Sequence, residues 1–369
     1  MQHVLVTGSN GFVGKNLIQA LKYRADISID AYDLDTPPEQ LDIYLQRADL
    51  IFHLAGVNRP QGVGEYETGN AGFTQELIAR LTTLGRAPKI VFSSSIQAEL
   101  DNPYGRSKRR AEQALEGYAA SAGADVVIYR LKNIFGKWCR SNYNSVVATF
   151  CYNIAHDLPV TISDPERELE LVYIDDVVAA LISELSGAAL GGLRFAEVAP
   201  VGRIALGQLA ETICSFRALR SDLTLPPLDR FARCLYATYL SYLDEQAFAY
   251  SLQQKPDQRG ALAEFIKSGA FGQVFLSRTH PGVTRGNHYH HTKTEKFLVL
   301  EGEALIRFRH ILGQKVIEYR VAGADFQVVD IPPGYTHSIT NTGQAELVVL
   351  FWASEIFDPE HPDTYYEAV

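Results

Sequence analysis

The fold of the first half of this chain is decided by residues 3–14, His3-Val4-Leu5-Val6-Thr7-Gly8-Ser9-Asn10-Gly11-Phe12-Val13-Gly14. The apolar, β-rich start predicts a buried strand, and the apolar residues from Phe12 onward recur at helical spacing. Between them, Gly8 permits a tight turn, Gly11 lets backbone approach a pyrophosphate, and Gly14 allows close packing of helix on strand. This context, with Asp33 about 20 residues further on, favours a dinucleotide site over a purely structural glycine turn.

The order of predicted elements changes once along the chain. Over the first half, strand-like segments alternate with helix-like ones, which predicts an α/β Rossmann-type fold with a doubly wound, mostly parallel sheet. One helix is expected to start at residues 36–39, with Thr36 as its cap. From about Gly269 onward, short strands are separated by Gly, Pro and Asn turns, which is typical of an all-β barrel or sandwich. We therefore predict two domains, residues 1–246 and 247–369.

Composition narrows the function classes. A net charge of −9 over 369 residues argues against nucleic acid or an anionic membrane as the main partner. No apolar run approaches the roughly 18 residues that a membrane span needs, and no signal peptide is expected before the first strand. The 4 cysteines show no C-x-x-C spacing and are typical of reduced thiols. These features predict a cytoplasmic protein.

A second motif, Tyr104-x-x-x-Lys108, lies on the helix predicted after a strand that ends in Ser93-Ser94-Ser95. A ketone that is being reduced needs a proton for its developing oxyanion. Tyr104 can supply that proton if the ammonium group of Lys108 lowers its pKa, and a serine hydroxyl can hold the carbonyl oxygen. Alone, the motif would more simply be a surface tyrosine and a solvated lysine. With the serines and the glycine turn, it predicts reduction of a carbonyl.

Residues 1 to about 245 resemble the extended short-chain dehydrogenase/reductase family, with further landmarks at His53-Leu54-Ala55-Gly56, Asn70 and Arg130-x-x-Asn133-x-Phe135-Gly136. The resemblance implies catalysis by Ser95, Tyr104 and Lys108, with Ser94 as the alternative serine and with Ser94 and Asn133 beside the substrate. It implies a cofactor-binding set of Gly8, Gly11, Phe12, Val13, Gly14, Asp33, Leu54, Ala55, Gly56, Tyr104 and Lys108.

Two departures bear on the chemistry. Dehydratases of this family carry Asp-Glu after the serine, whereas this chain has Ile96 and Gln97, which cannot exchange protons usefully. Dehydration is therefore not expected. Asp33 should accept a hydrogen bond from a ribose 2′-hydroxyl and repel a 2′-phosphate, which favours NADH. The family that the whole chain resembles is associated with NADPH, so NADPH and NADH both stay open.

A third cluster predicts a metal site. His288 and His290 alternate along a predicted strand, Glu295 follows, and His337 arrives from a second strand after the turn at residues 332–334. Three imidazoles and one carboxylate suit Zn²⁺, Fe²⁺, Mn²⁺ or Ni²⁺, and Zn²⁺ is the default expectation. An isolated histidine is usually a packing or surface residue, but four ligand types at this spacing favour a metal.

Residues 269–352 resemble the cupin (jelly-roll) family, whose first motif is complete and whose second has Phe326 in place of its leading glycine. Upstream, residues 257–265 resemble the D-x-R-G-x-[FL]-x-E segment of sugar-nucleotide 3,5-epimerases and ketoisomerases. Residues 285–288 resemble the R-G-x-H of the same enzymes. These likenesses imply a keto-sugar nucleotide as the ligand of this domain. A purely structural cupin that serves dimerisation is the alternative.

Taken together, the two halves resemble a family of bifunctional capsular-polysaccharide biosynthesis enzymes. That resemblance implies a UDP-linked 4-keto-6-deoxy-N-acetylhexosamine that is epimerised at carbon 3 by the cupin domain. The first domain would then reduce the ketone at carbon 4 with NAD(P)H, giving a 6-deoxy-talosamine nucleotide on the route to N-acetyl-L-fucosamine. Epimerisation must come first, because the ketone is what acidifies the hydrogen at carbon 3. The candidates for moving protons in that step are His290 and Tyr335, the latter also beside the substrate.

Two other readings stay open. One is a sugar-nucleotide 4-epimerase with tightly bound NAD and a structural or regulatory cupin, and the other is a redox-sensing scaffold without enzymatic activity. The first would recycle its cofactor, whereas a reductase consumes one reduced cofactor per product. Both domain types commonly pair, so a homodimer is expected.

Overall fold

The computed structural model describes residues 1–62, 64–187, 191–222, 229–252, 255–257, 260–262, 272–355, 358 and 360–369. Its strands are β1 Gln2–Thr7, β2 Ile27–Tyr32, β3 Leu50–His53, β4 Lys89–Ser95, β5 Asp125–Leu131, β6 Asn133–Phe135, β7 Glu168–Tyr173, β8 Gly192–Ala196, β9 Gly202–Ala205, β10 Ala249–Ser251, β11 Lys255–Asp257, β12 Gly260–Leu262, β13 Gln273–Thr279, β14 Thr284–Tyr289, β15 Glu295–Glu301, β16 Glu303–His310, β17 Val316–Ala322, β18 Gln327–Ile331, β19 Tyr335–Asn341, β20 Leu347–Ala353 and β21 Tyr365–Tyr366. Its helices are α1 Phe12–Leu21, α2 Pro38–Arg47, α3 Gly64–Tyr66, α4 Phe73–Thr83, α5 Pro103–Ala122, α6 Val146–Ala155, α7 Ile174–Ser183, α8 Leu206–Asp222 and α9 Arg230–Leu240.

The residue contacts group the chain into two compact units. The first unit comprises Met1–Phe135, Tyr143–Ser145 and Leu169–Arg203, and the second comprises Gly136–Asn142, Val146–Glu168 and Ile204–Val369. Helices α6, α8 and α9 therefore belong to the same unit as the antiparallel strands. The boundary predicted between residues 246 and 247 stays a prediction, because this grouping says which residues pack together and not which segment folds alone.

The first unit is built on a six-stranded parallel sheet with the order β2-β1-β3-β4-β5-β8. Helices α2, α4 and α5 cover one face, where Leu41, Leu77 and Leu115 join apolar strand residues in one fully buried cluster. Helices α1 and α7 pack against each other. The order reverses between β1 and β3, and in such sheets the ligand cleft opens outside the carboxyl ends of the strands at that reversal. The prediction of a Rossmann-type sheet is confirmed.

The second unit contains two antiparallel five-stranded sheets. Their orders are β10-β18-β15-β20-β13 and β17-β16-β19-β14-β21, and β11 and β12 form a separate hairpin. Strands β15, β18 and β19 are almost continuously buried, and Phe248 packs edge-on against Phe308 and Tyr335. This arrangement confirms the predicted all-β fold. The segment at residues 257–265 falls mostly outside the described residues, so the D-x-R-G likeness stays a sequence observation.

Two local expectations meet a different outcome. Thr36 does not cap helix α2, which begins at Pro38, because the Thr36 hydroxyl instead accepts a hydrogen bond from the Asp33 amide. Phe326 has a φ of +48°, the left-handed conformation in which glycine is favoured. The residue that replaces the motif's glycine therefore has a conformation that glycine adopts readily.

Neither 20-residue helix α5 nor any other helix in the described part of the chain is long and apolar enough to cross a membrane. None of the 4 cysteines forms a disulfide; Cys151 and Cys234 are buried.

Candidate functional site

The glycine-rich turn lies between β1 and α1, where the sheet order reverses. Gly8 has a φ of +71°, and a Cβ placed on it would lie 2.6 Å from the Ala55 backbone nitrogen. A Cβ on Gly14 would lie 2.2 Å from the Gly8 carbonyl oxygen. Both positions therefore require glycine. Helix α1 starts at Phe12 without a side-chain cap, so the amides of its first turn can receive the phosphates of a nucleotide.

Asp33 stands directly after β2 and touches this turn. One carboxylate oxygen accepts a hydrogen bond from the Asn10 amide at 2.7 Å, and the other accepts one from the Leu34 amide at 2.8 Å. The Asn10 side chain donates to Asp35 at 3.2 Å. Two carboxylates thus stand at the rim where the ribose of an adenine nucleotide would lie.

The end of β3 supplies the other wall. The His53 ring is buried between the hydroxyls of Thr7 and Thr74, at 2.8 and 2.9 Å, and burial lowers its pKa to about 3. It is therefore neutral and braces β3 against β1. Leu54 and Ala55 follow it beside the glycine turn, and a Cβ on Gly56 would lie 3.1 Å from the Lys108 Nζ. The small residue at Gly56 leaves room for that ammonium group.

The predicted serine, tyrosine and lysine come together at the start of α5. The helix is capped by Asn102, whose side chain accepts from the Gly105 amide at 2.7 Å, and this cap fixes the turn that carries Tyr104. Burial raises the pKa of Tyr104 although a hydrogen bond with Ser95 acts to lower it, so the lowering expected from Lys108 is not observed. Lys108 is buried, donates to the Ser93 carbonyl at 2.9 Å, and has its pKa lowered by burial to about 8.

Neighbouring serines have different surroundings. The Ser94 hydroxyl donates to the Glu112 carboxylate at 2.5 Å, and the same carboxylate is bound by Arg130 at 2.7 Å. Ser94 is thus part of a partly buried ion-pair network, whereas Ser95 bonds with the tyrosine. Asn133 is exposed and donates weakly to the Glu170 carbonyl at 3.4 Å, and it does not line the cavity beside Tyr104.

That cavity has a volume of about 540 Å³, enough for part of a sugar nucleotide. Its lining was missed by the motif analysis, apart from Tyr104, and consists of Asn58, Arg59, Pro60, Gln61, Gly62, Tyr66, Gln97, Tyr104 and Asn144. The Tyr66 and Tyr104 rings are 5.6 Å apart, and the Arg59 guanidinium lies over the Tyr143 ring. The signal was available in the sequence, since an arginine and two amides follow the β3 landmark, but their loop has no periodicity.

In the second unit, the four predicted metal ligands lie together. His288 is on β14, His290 follows that strand, Glu295 begins β15 and His337 is on β19. Each offers one ligand atom, and these atoms all lie within 4.8 Å of one another. The Nε2 atoms of His290 and His337 are 3.4 and 3.6 Å from the same oxygen of Glu295. Strands β14 and β19, which are neighbours in one sheet, and the first residue of β15 in the other sheet therefore converge on a single point.

The electrostatics of this cluster fit a divalent cation. Burial, together with the neighbouring imidazoles, lowers the pKa of His288 to about 3, and burial also lowers that of His337. Burial alone would raise the pKa of Glu295, but His290 and His337 hold it well below its ordinary value. His290 Nε2 and both ring nitrogens of His337 are buried without a hydrogen-bond partner. Orphaned buried nitrogens around a carboxylate are what a metal-ligand set requires.

Tyr335 lies two residues before His337 on β19 and is buried. Its ring packs edge-on against Phe248 at 5.1 Å and His310 at 4.9 Å. Burial raises its pKa, and nearby Glu245 adds to the effect, so the phenol stays protonated. The roles predicted for Tyr335 and for the other site residues remain predictions.

Two protein-family models match the chain. The one described as the NAD dependent epimerase/dehydratase family matches residues 4–187, and the one described as the polysaccharide biosynthesis C-terminal domain matches residues 255–365. The first falls on the glycine turn and the Tyr104 helix, and the second on the histidine cluster.

Two similar proteins match along almost the whole chain, and a third matches part of it. The UDP-2-acetamido-2,6-beta-L-arabino-hexul-4-ose reductase of Pseudomonas aeruginosa is 45% identical over 363 residues, which is 98% of this chain and 97% of that protein. The capsular polysaccharide assembling protein CapF from Staphylococcus aureus has 46% identity and a TM-score of 0.67, over 99% of this chain and 100% of that chain. UDP-glucuronic acid 4-epimerase from Bacillus cereus in complex with NAD has 19% identity and a TM-score of 0.53, over 59% of this chain and 84% of that chain. At that identity the likeness concerns the fold alone.

Proposed function

Because this chain belongs to the same family as CapF and the Pseudomonas aeruginosa hexul-4-ose reductase, we propose that it reduces the 4-ketone of a UDP-linked 2-acetamido-2,6-dideoxy sugar. The observation that carries this proposal is the grouping of Ser95, Tyr104 and Lys108 beside the glycine turn and the 540 Å³ cavity. A bound reduced nicotinamide would supply the hydride.

The residues of the chain then divide the remaining work. Tyr104 is protonated at neutral pH, since burial raises its pKa, and its phenol would give its proton to the carbonyl oxygen as charge develops there. Ser95 would hold the same oxygen by a hydrogen bond. With its pKa at about 8, Lys108 is still mostly charged at pH 7, and its ammonium would stabilise the phenolate that is left.

We further propose that Asp33 governs the choice between NADPH and NADH, the two cofactors that the sequence leaves open. Asp33 directs its carboxylate at the glycine turn, and Asp35 stands beside it through Asn10. A 2′-phosphate would bring two further negative charges to this rim, whereas a ribose 2′-hydroxyl can donate a hydrogen bond to a carboxylate. The carboxylate of Asp33 would then select between the cofactors.

For the second unit we propose epimerisation at carbon 3, before reduction. His288, His290, Glu295 and His337 would hold Zn²⁺ or a similar cation, which supplies Lewis-acid stabilisation of negative charge on substrate oxygens. Proton movement needs a group that is not a ligand, which favours Tyr335 over His290. The order follows from the chemistry, because reduction would remove the ketone that makes the carbon 3 hydrogen acidic.

The test is to incubate the chain with a UDP-4-keto-6-deoxy-N-acetylhexosamine and either NADH or NADPH, and to determine the product by NMR. We expect one reduced cofactor to be oxidised per product and a 6-deoxy-talosamine configuration. If the 4-ketone is not reduced and no cofactor is oxidised, while a UDP-sugar with a 4-hydroxyl is epimerised at carbon 4 without added cofactor, the chain would be a 4-epimerase that retains NAD, and the proposal would be wrong.

A further inference from the structure

The last residues of the chain return to the histidine cluster. Strand β21 pairs antiparallel with β14, so that Tyr366 stands opposite His288 and Tyr365 opposite Tyr289. Beyond it, the Glu367 amide donates to the Asn287 carbonyl at 2.9 Å, and the Glu367 carboxylate pairs with Arg309 at 2.9 Å. The tail thereby extends the sheet that carries two of the four ligands.

Asp363 fastens the start of this tail to the segment between β14 and β15. Its carboxylate accepts hydrogen bonds from the amides of His291, Thr292 and Lys293, at 2.8, 2.7 and 2.6 Å, and from the Thr292 hydroxyl at 2.8 Å. One carboxylate thus satisfies three consecutive backbone donors in the connection that joins His290 to Glu295. Charge-assisted bonds of this kind are stronger than neutral ones.

The backbone of Asp363 directly contacts His290, one of the proposed metal ligands. The Asp363 carbonyl oxygen lies 2.5 Å from His290 Nδ1. A carbonyl can only accept, so His290 must carry its proton on Nδ1. Its Nε2, which is buried without a hydrogen-bond partner and lies 3.4 Å from Glu295, is then the nitrogen with the free lone pair. Metal-ligating histidines commonly have such a partner on the far nitrogen, which fixes the tautomer and ring orientation.

We propose that Asp363 is a positioning residue of the metal site: its carboxylate shapes the 291–293 backbone, and its carbonyl fixes the tautomer and direction of the His290 ring. The C-terminal tail then contributes to the geometry of the metal site. This inference rests on the proposed metal site and adds to it a residue that no motif of the sequence marks.

The experiment compares full-length variants at equal zinc concentration. Asp363→Ala removes the anchor, and Asp363→Asn keeps its shape without the charge. Asp358→Ala removes an exposed carboxylate of the same tail that bonds with the Glu360 amide and His361. We expect Asp363→Ala to bind Zn²⁺ about 10- to 100-fold more weakly in competition with a chromogenic chelator. Asp363→Asn should lie between it and the wild type, and Asp358→Ala should match the wild type.

A second readout separates positioning from general stability. The visible spectrum of the Co²⁺-loaded protein reports ligand geometry, and we expect it to change in Asp363→Ala and Asp363→Asn but not in Asp358→Ala. If Asp363→Ala does not fold, the Asn variant carries the test. Wild-type zinc affinity together with an unchanged spectrum in the Asp363 variants would overturn this inference alone. A wild-type chain that binds no divalent metal would overturn it together with the proposed epimerase site.

Discussion

The two sites of this chain are assembled in opposite ways. The proposed reductase site takes Ser95, Tyr104 and Lys108 from one strand and the helix that follows it, so a short stretch of sequence would contain its chemistry. The histidine cluster takes its ligands from β14, β15, β19 and the connection after β14, and its support from the end of the chain. The first site is local in sequence, whereas the second exists only when distant strands have paired.

The electrostatics differ in the same sense. In the reductase site, burial shifts the pKa of each group separately. It lowers the pKa of Lys108 and raises that of Tyr104. In the cluster, the pKa values of His288, His337 and Glu295 are all lowered, and each group depends on the others. A change at the first site should therefore remove chemistry and leave the fold intact. A change at the second should also leave the other buried side chains of the cluster without a partner.

The largest expected effect is that of Tyr104→Phe on reduction. Loss of the proton donor should lower kcat by about 10²- to 10⁴-fold, measured as oxidation of NADH with the keto-sugar substrate. Tyr66→Phe, in the same cavity, is the matched control and should remain within a few-fold of the wild type. Zinc content should be equal in all three proteins. Turnover retained by Tyr104→Phe would remove the basis for a reductase at this site.

Next is Glu295→Gln, which keeps the shape of the side chain but removes the only carboxylate of the cluster. Because changes around a metal ligand alone cost about 10- to 100-fold, we expect zinc affinity to fall by at least about 100-fold. Glu301→Gln, at the exposed end of the same strand, is the control. NADH affinity should be unchanged in both variants. Equal zinc binding by Glu295→Gln and the wild type would contradict the ligand set.

Asp33→Ser tests how far the reductase site is set by local sequence. Without the carboxylate, the ratio of kcat/KM for NADH to that for NADPH should fall by about tenfold, or roughly 1.4 kcal/mol. Asp26→Asn, just before β2 and paired with Arg24, should leave the ratio unchanged. A wild-type preference for NADPH would show that Asp33 does not select the cofactor.

The smallest effect concerns pH. Lys108 has a pKa lowered to about 8, so its ammonium is charged below that pH and is lost as the pH rises through it. The kcat/KM for reduction, which reports the free enzyme, should therefore be near half its plateau at pH 8 and should continue to fall above it. In any active Lys108→Arg variant, the fall of kcat/KM at alkaline pH should move to higher pH, because arginine stays charged. A flat wild-type profile between pH 7 and 9 would contradict the role of Lys108.

Sequence reasoning reached the features that depend on local pattern. The alternation of strands and helices predicted the parallel sheet, and the two histidine motifs predicted the cluster of His288, His290, Glu295 and His337. Helix α5 carries Tyr104 and Lys108 one turn apart, as the Y-x-x-x-K spacing requires.

What depends on distant partners could not be predicted in this way. The resemblance ranked Ser95 above Ser94, but the ion pair of Glu112 and Arg130 that sets the two serines apart is not marked by any local pattern. Asp363 has no motif, because its importance comes from the strand pairing that returns the tail to β14. Long-range packing decides both arrangements, because the interacting residues are too far apart in the sequence for a local motif to join them.

The claim that one chain holds two separable sites can be tested most directly with the Tyr104→Phe variant in D₂O. It should be loaded with zinc and given the UDP-4-keto sugar without any reduced cofactor, and deuterium at carbon 3 should be followed by NMR. We predict that deuterium is incorporated at the wild-type rate, and that Glu295→Gln abolishes this exchange. Exchange that is lost with Tyr104, or that continues unchanged in Glu295→Gln, would contradict the division of the chemistry between the two units.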